Sequence, residues 1–190
     1  MVYKNYERTK NKIKDTFVQL VLEKKNLDLI TTKDIIERAE IAKSTFYYHY
    51  DDVDGFLKEF YALIIEKFNK LVSGYYQKEG NSRFIYIRQI AENLKKYDDF
   101  FRILLKSEKS NSFISMFKKN LVEIFNNDAN LKLHQITTDK RRAEIYMVAN
   151  GISYLFVDHY RENLNVTLDE IAELVCLSVS KSGFESINQK

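Results

Sequence analysis

The sequence contains no proline and only five glycines among its 190 residues. Proline interrupts helices and strand-rich folds need frequent Gly and Pro turns, so this shortage favours helices joined by short polar turns. Cys176 is the single cysteine, which excludes an intramolecular disulfide and indicates a reducing compartment. The longest uncharged stretch, from Ile145 to Val157, has thirteen residues. A membrane-spanning helix needs about 20, so a buried helix is expected there instead.

The first fourteen residues are polar and lack the apolar core of a signal peptide, so we expect a cytoplasmic protein with no membrane segment. The net charge of +3 is too small by itself to indicate a nucleic-acid partner. Its distribution is uneven, because this segment has one acid, Glu7, and five basic side chains: Lys4, Arg8, Lys10, Lys12 and Lys14. Such a cluster fits either an arm that lies along phosphates or a solvated helix start.

The spacing of apolar residues predicts an all-α architecture of about nine helices. Residues 8–25 carry Ile13, Phe17 and Leu20 at helical intervals. A short second helix is predicted from Thr31, which forms a capping box with Asp34, while Ile30 and Ile35 occupy the positions of a hydrophobic staple. The later helices are predicted at 43–50, 52–73, 82–96, 97–108, 110–127, 138–163 and 167–184. The last of them begins with a second capping box, Thr167-x-x-Glu170.

Five consecutive residues, from Phe46 to Tyr50, are aromatic or imidazole. Successive side chains on a helix are about 100° apart, so these five cannot all face a core. We predict that Phe46 and Tyr50 point inward with Ile41, and that Tyr47 and Tyr48 point outward. An exposed pair of aromatic rings is unusual on a protein surface and indicates a binding role.

A short helix that presents Lys43, Ser44 and Thr45 from its first turn is suited to the DNA major groove. Lysine donates to guanine or to phosphate, small hydroxyls permit close approach, and tyrosine donates its hydroxyl to phosphate. The preceding helix start, Thr31-Thr32-Lys33, offers amides and hydroxyls to another phosphate. The segment 31–50 therefore predicts a helix-turn-helix, in which one helix crosses the backbone and the next enters the groove.

Two segments of the chain, Ile-Thr-Thr-Lys-Asp-Ile at 30–35 and Ala-Glu-Ile-Ala-Lys-Ser-Thr-Phe-Tyr-Tyr-His-Tyr at 39–50, resemble the DNA-binding domain of the TetR family of regulators. The resemblance implies a helix-turn-helix domain over residues 8–68, with its motif at 31–50, and a helical effector-binding and dimerisation domain over 69–190. It also implies a set of DNA-contacting residues, namely Thr31, Thr32, Lys33, Lys43, Ser44, Thr45, Tyr47, Tyr48 and His49.

The second half of the chain resembles the same family in its layout. Residues 151–163 and 168–172 are similar to a subgroup that includes regulators of dihydroxyacetone-kinase genes, although the tryptophan usual near Tyr160 is absent. The resemblance implies a homodimer formed by helices 138–163 and 167–184. It further implies a near-palindromic operator in double-stranded DNA, repression, and release by a small-molecule effector whose contact residues are not identified.

The chain departs from the family pattern at two places. Glu40 replaces the glycine of the turn, and the lysine that usually follows the second motif helix is absent. Asp51, Asp52 and Asp54 stand there instead, and their charges should repel phosphate. Two alternatives therefore stay open. One is a co-regulator of the same fold that binds a protein partner, and the other is a helical ligand-binding protein or enzyme with a vestigial helix-turn-helix.

The sequence shows no motif typical of catalysis, metal binding or cofactor binding. It lacks a Gly-rich phosphate loop, a His-Glu-x-x-His pair and a Gly-x-Ser-x-Gly elbow, so an enzyme is not expected and neither is a cofactor. His134, His159 and Cys176 fit no metal-ligand spacing. Ten apolar residues are predicted to form helix cores, and some of them suit the lining of an effector pocket. They are Phe100, Phe101, Leu104, Leu105, Phe113, Met116, Phe117, Tyr146, Tyr154 and Phe156.

Overall fold

The computed structural model describes residues 2–76, 83–127 and 138–181, which contain nine α-helices and no strand. The helices are α1 (Val2–Lys24), α2 (Thr32–Arg38), α3 (Lys43–His49), α4 (Val53–Tyr76), α5 (Arg83–Lys95), α6 (Asp98–Lys106), α7 (Asn111–Asn127), α8 (Thr138–Tyr160) and α9 (Leu168–Lys181). Short 3₁₀ turns lie at Leu27–Leu29 and Glu108–Ser110. The predicted all-α fold class is confirmed.

The predicted helix ends agree with the structure to within a few residues, except at the N-terminus. Helix α1 begins at Val2 rather than near residue 8, so the basic cluster belongs to a helix and not to an extended arm. The predicted turn at 77–82, the end of the last helix beyond residue 181, and His134 lie outside the described residues.

The chain packs into two compact units. The first unit comprises Met1–Glu66 together with Asp98–Phe113, and the second comprises Lys67–Tyr97 together with Ile114–Lys190. Helix α6 and residues 107–113 therefore belong to the first unit, although the chain on either side of residues 98–113 belongs to the second. The functional division into residues 8–68 and 69–190 stays a prediction, because grouping by packing describes cores and not activities.

The core of the first unit is built from aromatic rings. Phe17 of α1 packs edge-on against Phe56 and Phe60 of α4, with ring centroids 4.9 and 5.1 Å apart, and Tyr50 packs on Phe56 at 5.1 Å. Phe60 also contacts Phe100 of α6 at 5.9 Å. Burying each such side chain stabilises the fold by about 1.5–3 kcal/mol. This core therefore fixes the helices that carry the motif at 31–50.

The second unit packs α9 against α5 and α8. Phe117 of α7 contacts Phe68 of α4 and Phe156 of α8, with centroids 5.4 and 5.2 Å apart. Asn69 and Asn120 exchange two side-chain amide hydrogen bonds of 2.9 and 2.8 Å, which satisfies both groups in a part-buried position. The described core of this unit is thus mainly apolar, with the two asparagines paired inside it.

Most of the ten residues predicted as core are buried, but two predictions were wrong. Tyr146 and Tyr154 of α8 are 44% and 60% exposed. Ile145 and Ala149 supply the buried face of that helix, and a residue one position along it points about 100° away. The structure confirms seven of the ten residues as buried: Phe100, Phe101, Leu104, Leu105, Phe113, Phe117 and Phe156. Met116 is half-buried.

Candidate nucleic-acid interface

Helix α2 starts at the predicted capping box, which the structure confirms. The Asp34 N–H donates to the Thr31 hydroxyl at 3.2 Å, and the Asp34 carboxylate accepts from the Thr31 N–H at 2.8 Å and from the Thr31 hydroxyl at 2.7 Å. Lys24 lies 2.7 Å from the other carboxylate oxygen. Hydrogen bonds from Lys24 and Thr31 lower the Asp34 pKa to about 2. Thr31 is therefore held in place by Asp34.

The turn after α2 keeps its geometry although Glu40 occupies the glycine position. Glu40 has φ 48°, which lies in the left-handed region. Its N–H donates to the Glu37 carbonyl, and the Ile41 N–H donates to the Ile36 carbonyl, both at 3.2 Å. These two bonds define a Schellman closure, whose left-handed residue is usually glycine. A side chain there costs about 1 kcal/mol but does not redirect the chain.

Helix α3 has the predicted inward and outward faces. Phe46 and Tyr50 are buried, with ring centroids 5.7 Å apart, whereas Tyr47 is 46% and Tyr48 is 73% exposed. Ile41, which we predicted to point inward, is half-buried. The helix is thus anchored by two rings and presents two others to solvent.

The outward side chains of α3 begin at its first residue. Lys43 and Ser44 are exposed and Thr45 is half-buried. Lys43 and Tyr47 are one helical turn apart and therefore share a face, with the lysine Nζ 5.8 Å from the tyrosine ring centroid. No side chain caps the start of α3. This face combines a cation, a hydroxyl and an aromatic ring.

The two predicted contact residues that follow Thr31 lie in the first turn of α2. Thr32 is half-buried and Lys33 is exposed, with a Lys33 Nζ to Glu37 carboxylate distance of 3.7 Å. An exposed ion pair of that length contributes little to stability. The Lys33 ammonium therefore remains available to an anion.

His49 lies in an aromatic cluster that includes a residue missed by sequence reasoning. Its ring centroid is 4.4 Å from that of Tyr6 in α1 and 5.3 Å from that of Tyr48. Its Nδ1 is buried and finds no hydrogen-bond partner among the described residues. Burial and the nearby Lys10 charge lower the His49 pKa, so the ring is neutral at pH 7. No local pattern in the sequence pairs Tyr6 with His49.

Glu59 of α4 is the second residue that sequence reasoning missed. Its carboxylate pairs with the ammonium groups of Lys10 and Lys14 and accepts a hydrogen bond of 3.2 Å from the Tyr50 hydroxyl. Burial, followed by the Glu59 charge, raises the Tyr50 pKa. Two lysines of the N-terminal basic cluster are thus neutralised within the first unit, and α1, α3 and α4 are tied together.

The acids after α3 have a partly structural explanation. The Asp52 carboxylate accepts the Gly55 N–H at 2.7 Å, which is the arrangement of a helix N-cap, here for α4. Asp54 lies in the first turn of α4, where the helix dipole favours a negative charge. Asp51 is exposed. Two of the three acids beside α3, Asp52 and Asp54, therefore help to start the next helix.

Among the described residues, no three His, Cys, Asp or Glu side chains are arranged to hold a metal ion. Within that same part of the chain, no helix is long and apolar enough to cross a bilayer.

The described part of the chain is all-α, with α2 and α3 joined by a tight turn as in a helix-turn-helix, and solved structures share this fold. One is described as a TetR-family transcriptional regulator from Syntrophomonas wolfei; it has a TM-score of 0.72 and 20% identity over 96% of this chain and 99% of its own. A TetR transcriptional regulator from Streptococcus agalactiae has a TM-score of 0.62 and 20% identity, covering 93% of this chain and 96% of its own.

A third similar structure is the dihydroxyacetone kinase operon activator DhaS, with a TM-score of 0.64 and 16% identity over 93% of this chain and 97% of its own. No family model matches the sequence, and no curated protein matches it. At these identities the likeness establishes the fold. The chain therefore has the fold of TetR-family regulators, as the motif at 31–50 predicted.

Proposed function

We propose that this chain is a TetR-type transcriptional regulator that binds operator DNA as a cytoplasmic homodimer and represses until a small-molecule effector releases it. The observation that carries the proposal is the two-sided helix α3. Phe46 and Tyr50 fix it in the core, while Lys43, Ser44 and Tyr47 are directed outward. A helix held rigidly with hydrogen-bond donors on its free face is what direct reading of a major groove requires.

Each predicted contact residue has a distinct role in this proposal. Lys43, Ser44 and Thr45 read bases, and the rings of Tyr47 and Tyr48 pack on sugar or on thymine methyl groups. Thr32 and Lys33 contact phosphate from the start of α2. Thr31 orients that start through Asp34, and His49 contributes a neutral ring N–H rather than a positive charge.

The proposed dimer uses α8 and α9 of the second unit. Solvent-exposed apolar side chains on these helices include Tyr146, Met147, Tyr154, Leu174 and Leu177. A Cβ added to Gly151, on the same face of α8 as Met147 and Tyr154, would meet no atom within 4 Å. Clustered exposed apolar side chains mark an interaction surface. A second copy of the chain is the proposed occupant, forming a four-helix bundle about a two-fold axis.

Fluorescence anisotropy with the DNA that flanks the coding region, titrated against salt, tests the proposal. Lys43→Ala should weaken binding by at least about 10-fold and reduce the logarithmic salt slope by about 2, because the dimer loses one cation from each of its two α3 helices. Lys118→Ala removes an exposed lysine of α7 in the second unit and should change neither quantity. Equal losses of DNA affinity in both variants would contradict the proposal that the exposed face of α3 contacts the DNA.

A second candidate function is a co-regulator that binds a protein partner. The exposed acids Asp51 and Asp54 beside α3 favour it, because they oppose the approach of phosphate. One structurally similar protein, DhaS, is described as an operon activator. A folded dimer that shows no sequence preference for DNA at low salt would support this candidate and exclude direct operator binding.

A further inference from the structure

A cavity of about 150 Å³ lies inside the second unit, between α4, α5, α7, α8 and α9. Of the seventeen described residues that line it, sixteen have hydrocarbon side chains, among them Phe117, Leu121, Phe156 and Ile171. Tyr86 supplies the one side-chain hydroxyl within this described lining. An apolar cavity of roughly this size has room for a small apolar molecule.

Two polar side chains that lie next to lining residues along the chain, Lys95 and Asn69, have partners within the second unit. Lys95 follows Leu94 of the lining, and its ammonium donates to the Asp169 carboxylate and to Glu92, both at 2.8 Å. Asn69 follows Phe68 of the lining, and its amide is paired with that of Asn120. The described lining is thus hydrocarbon apart from Tyr86, and these two polar side chains beside it are paired within the protein.

This arrangement distinguishes between neutral and charged molecules. An ionised carboxylate or ammonium group that enters a hydrocarbon-lined site loses its hydration and gains no partner, which is strongly unfavourable. A neutral hydroxyl loses much less on burial, and one hydroxyl, that of Tyr86, belongs to the lining. The discrimination therefore follows from the chemistry of the walls, independently of the shape of the ligand.

We propose that this cavity binds an uncharged, mainly apolar molecule about the size of a substituted benzene or a short alkyl alcohol, and that it excludes the ionised acid or amine of the same skeleton. The regulatory consequence, a change in DNA affinity, rests on the function proposed above. The binding of a neutral molecule does not rest on that function, because it is argued from the residues that line the cavity.

Calorimetric titration of the full chain with benzyl alcohol, benzylammonium and benzoate tests the discrimination, because the three probes share one ring and differ in charge. Saturable binding of benzyl alcohol is expected at a Kd below about 1 mM, with both ions at least about 10-fold weaker. 1-Hexanol and hexanoate repeat the comparison on an alkyl skeleton. Equal binding of neutral and charged probes, or no binding of either alcohol, overturns the proposal.

Two variants locate the binding. Ala172→Phe fills the cavity and should abolish binding of benzyl alcohol, while Ala62→Phe makes the same change at an exposed position of α4 in the first unit and should leave it intact. Because overpacking can unfold a core, Leu121→Ala serves as a second probe. It enlarges the cavity and should shift the preference toward a longer alcohol. Undiminished binding in folded Ala172→Phe, or an unchanged preference in Leu121→Ala, overturns the assignment.

The same proteins separate this inference from the proposed function. If the neutral probes bind but the protein shows no sequence-preferring affinity for DNA, the cavity assignment stands and the regulator proposal fails. If the protein binds DNA with sequence preference but does not bind the neutral probes, the regulator proposal stands and the cavity assignment fails.

Discussion

Three described residues other than glycine have a left-handed backbone: Lys25, Glu40 and Glu162, with φ of 50°, 48° and 61°. Each directly follows the last turn of a helix. At the end of α8, the Glu162 N–H donates to the His159 carbonyl and the Asn163 N–H to the Asp158 carbonyl, which repeats the closure at Glu40. A chain with few glycines thus ends its helices in the geometry that glycine favours, at a cost in backbone strain.

Replacing Glu40 with glycine should therefore stabilise the protein. Relief of the left-handed strain contributes about 1 kcal/mol, reduced in part by the greater freedom of glycine in the unfolded chain. Urea denaturation should show a higher midpoint for Glu40→Gly. The control, Gln19→Gly at an exposed position in the middle of α1, should lose about 1 kcal/mol. A lower midpoint for Glu40→Gly would mean that the glutamate side chain itself stabilises the turn.

The sequence correctly predicted whether a side chain points into the core or to solvent where local helix geometry alone decides it. The inward Phe46 and outward Tyr48 follow from the angle between successive helical residues. The pairing of Glu59 with Lys10 does not follow from any local pattern, because 49 positions separate the two residues along the chain. Their contact depends on how α1 and α4 approach each other, and the sequence spacing does not encode that approach.

Helix α2 owes its start to one carboxylate. Asp34 has its pKa lowered from 3.8 to about 2, so its stabilising effect is complete above pH 4 and is lost as the pH falls towards 2. Asp34→Asn should be less stable at pH 7 by about 1 kcal/mol, the usual value of a cap. The deficit should shrink between pH 4 and pH 2, as measured by urea denaturation at each pH.

The control for this change is Asp15→Asn, at an exposed position of α1. It should leave the stability within about 0.5 kcal/mol of the wild type at every pH. A deficit in Asp34→Asn that stayed constant from pH 7 to pH 2 would contradict the role given to the charge of Asp34.

The residue at which a helix starts was easier to predict than the face of the helix that its neighbours cover. The capping boxes of α2 and α9 lie within four consecutive residues each, and both are present as predicted. Tyr146 and Tyr154 were wrongly assigned to the core, because periodicity shows which residues share a face but not which face is covered. That choice depends on the neighbours α7 and α9, which the pattern of α8 alone does not include.

Assembly of the whole molecule can be tested with two matched tyrosines. Tyr154 of α8 and Tyr97, which precedes α6, are both 60% exposed. Tyr154→Glu places a charge in the proposed dimer surface and should convert the protein to a monomer in sedimentation at micromolar concentration, because an unpaired charge is costly to bury. Tyr97→Glu should remain dimeric. A wild-type chain that is itself monomeric under these conditions would contradict the proposal that a homodimer binds the operator.

The first unit is discontinuous along the chain, because α6 joins it from residues 98–113. Phe100 packs on Phe60, and Tyr61 contacts Phe113 and donates to the Lys109 carbonyl at 3.3 Å. A cut after residue 68 removes all three of these partners. Residues 1–68 therefore lack part of the core of the first unit. A chimaera that joined them to another helical domain would have to supply the packing that residues 98–113 provide here.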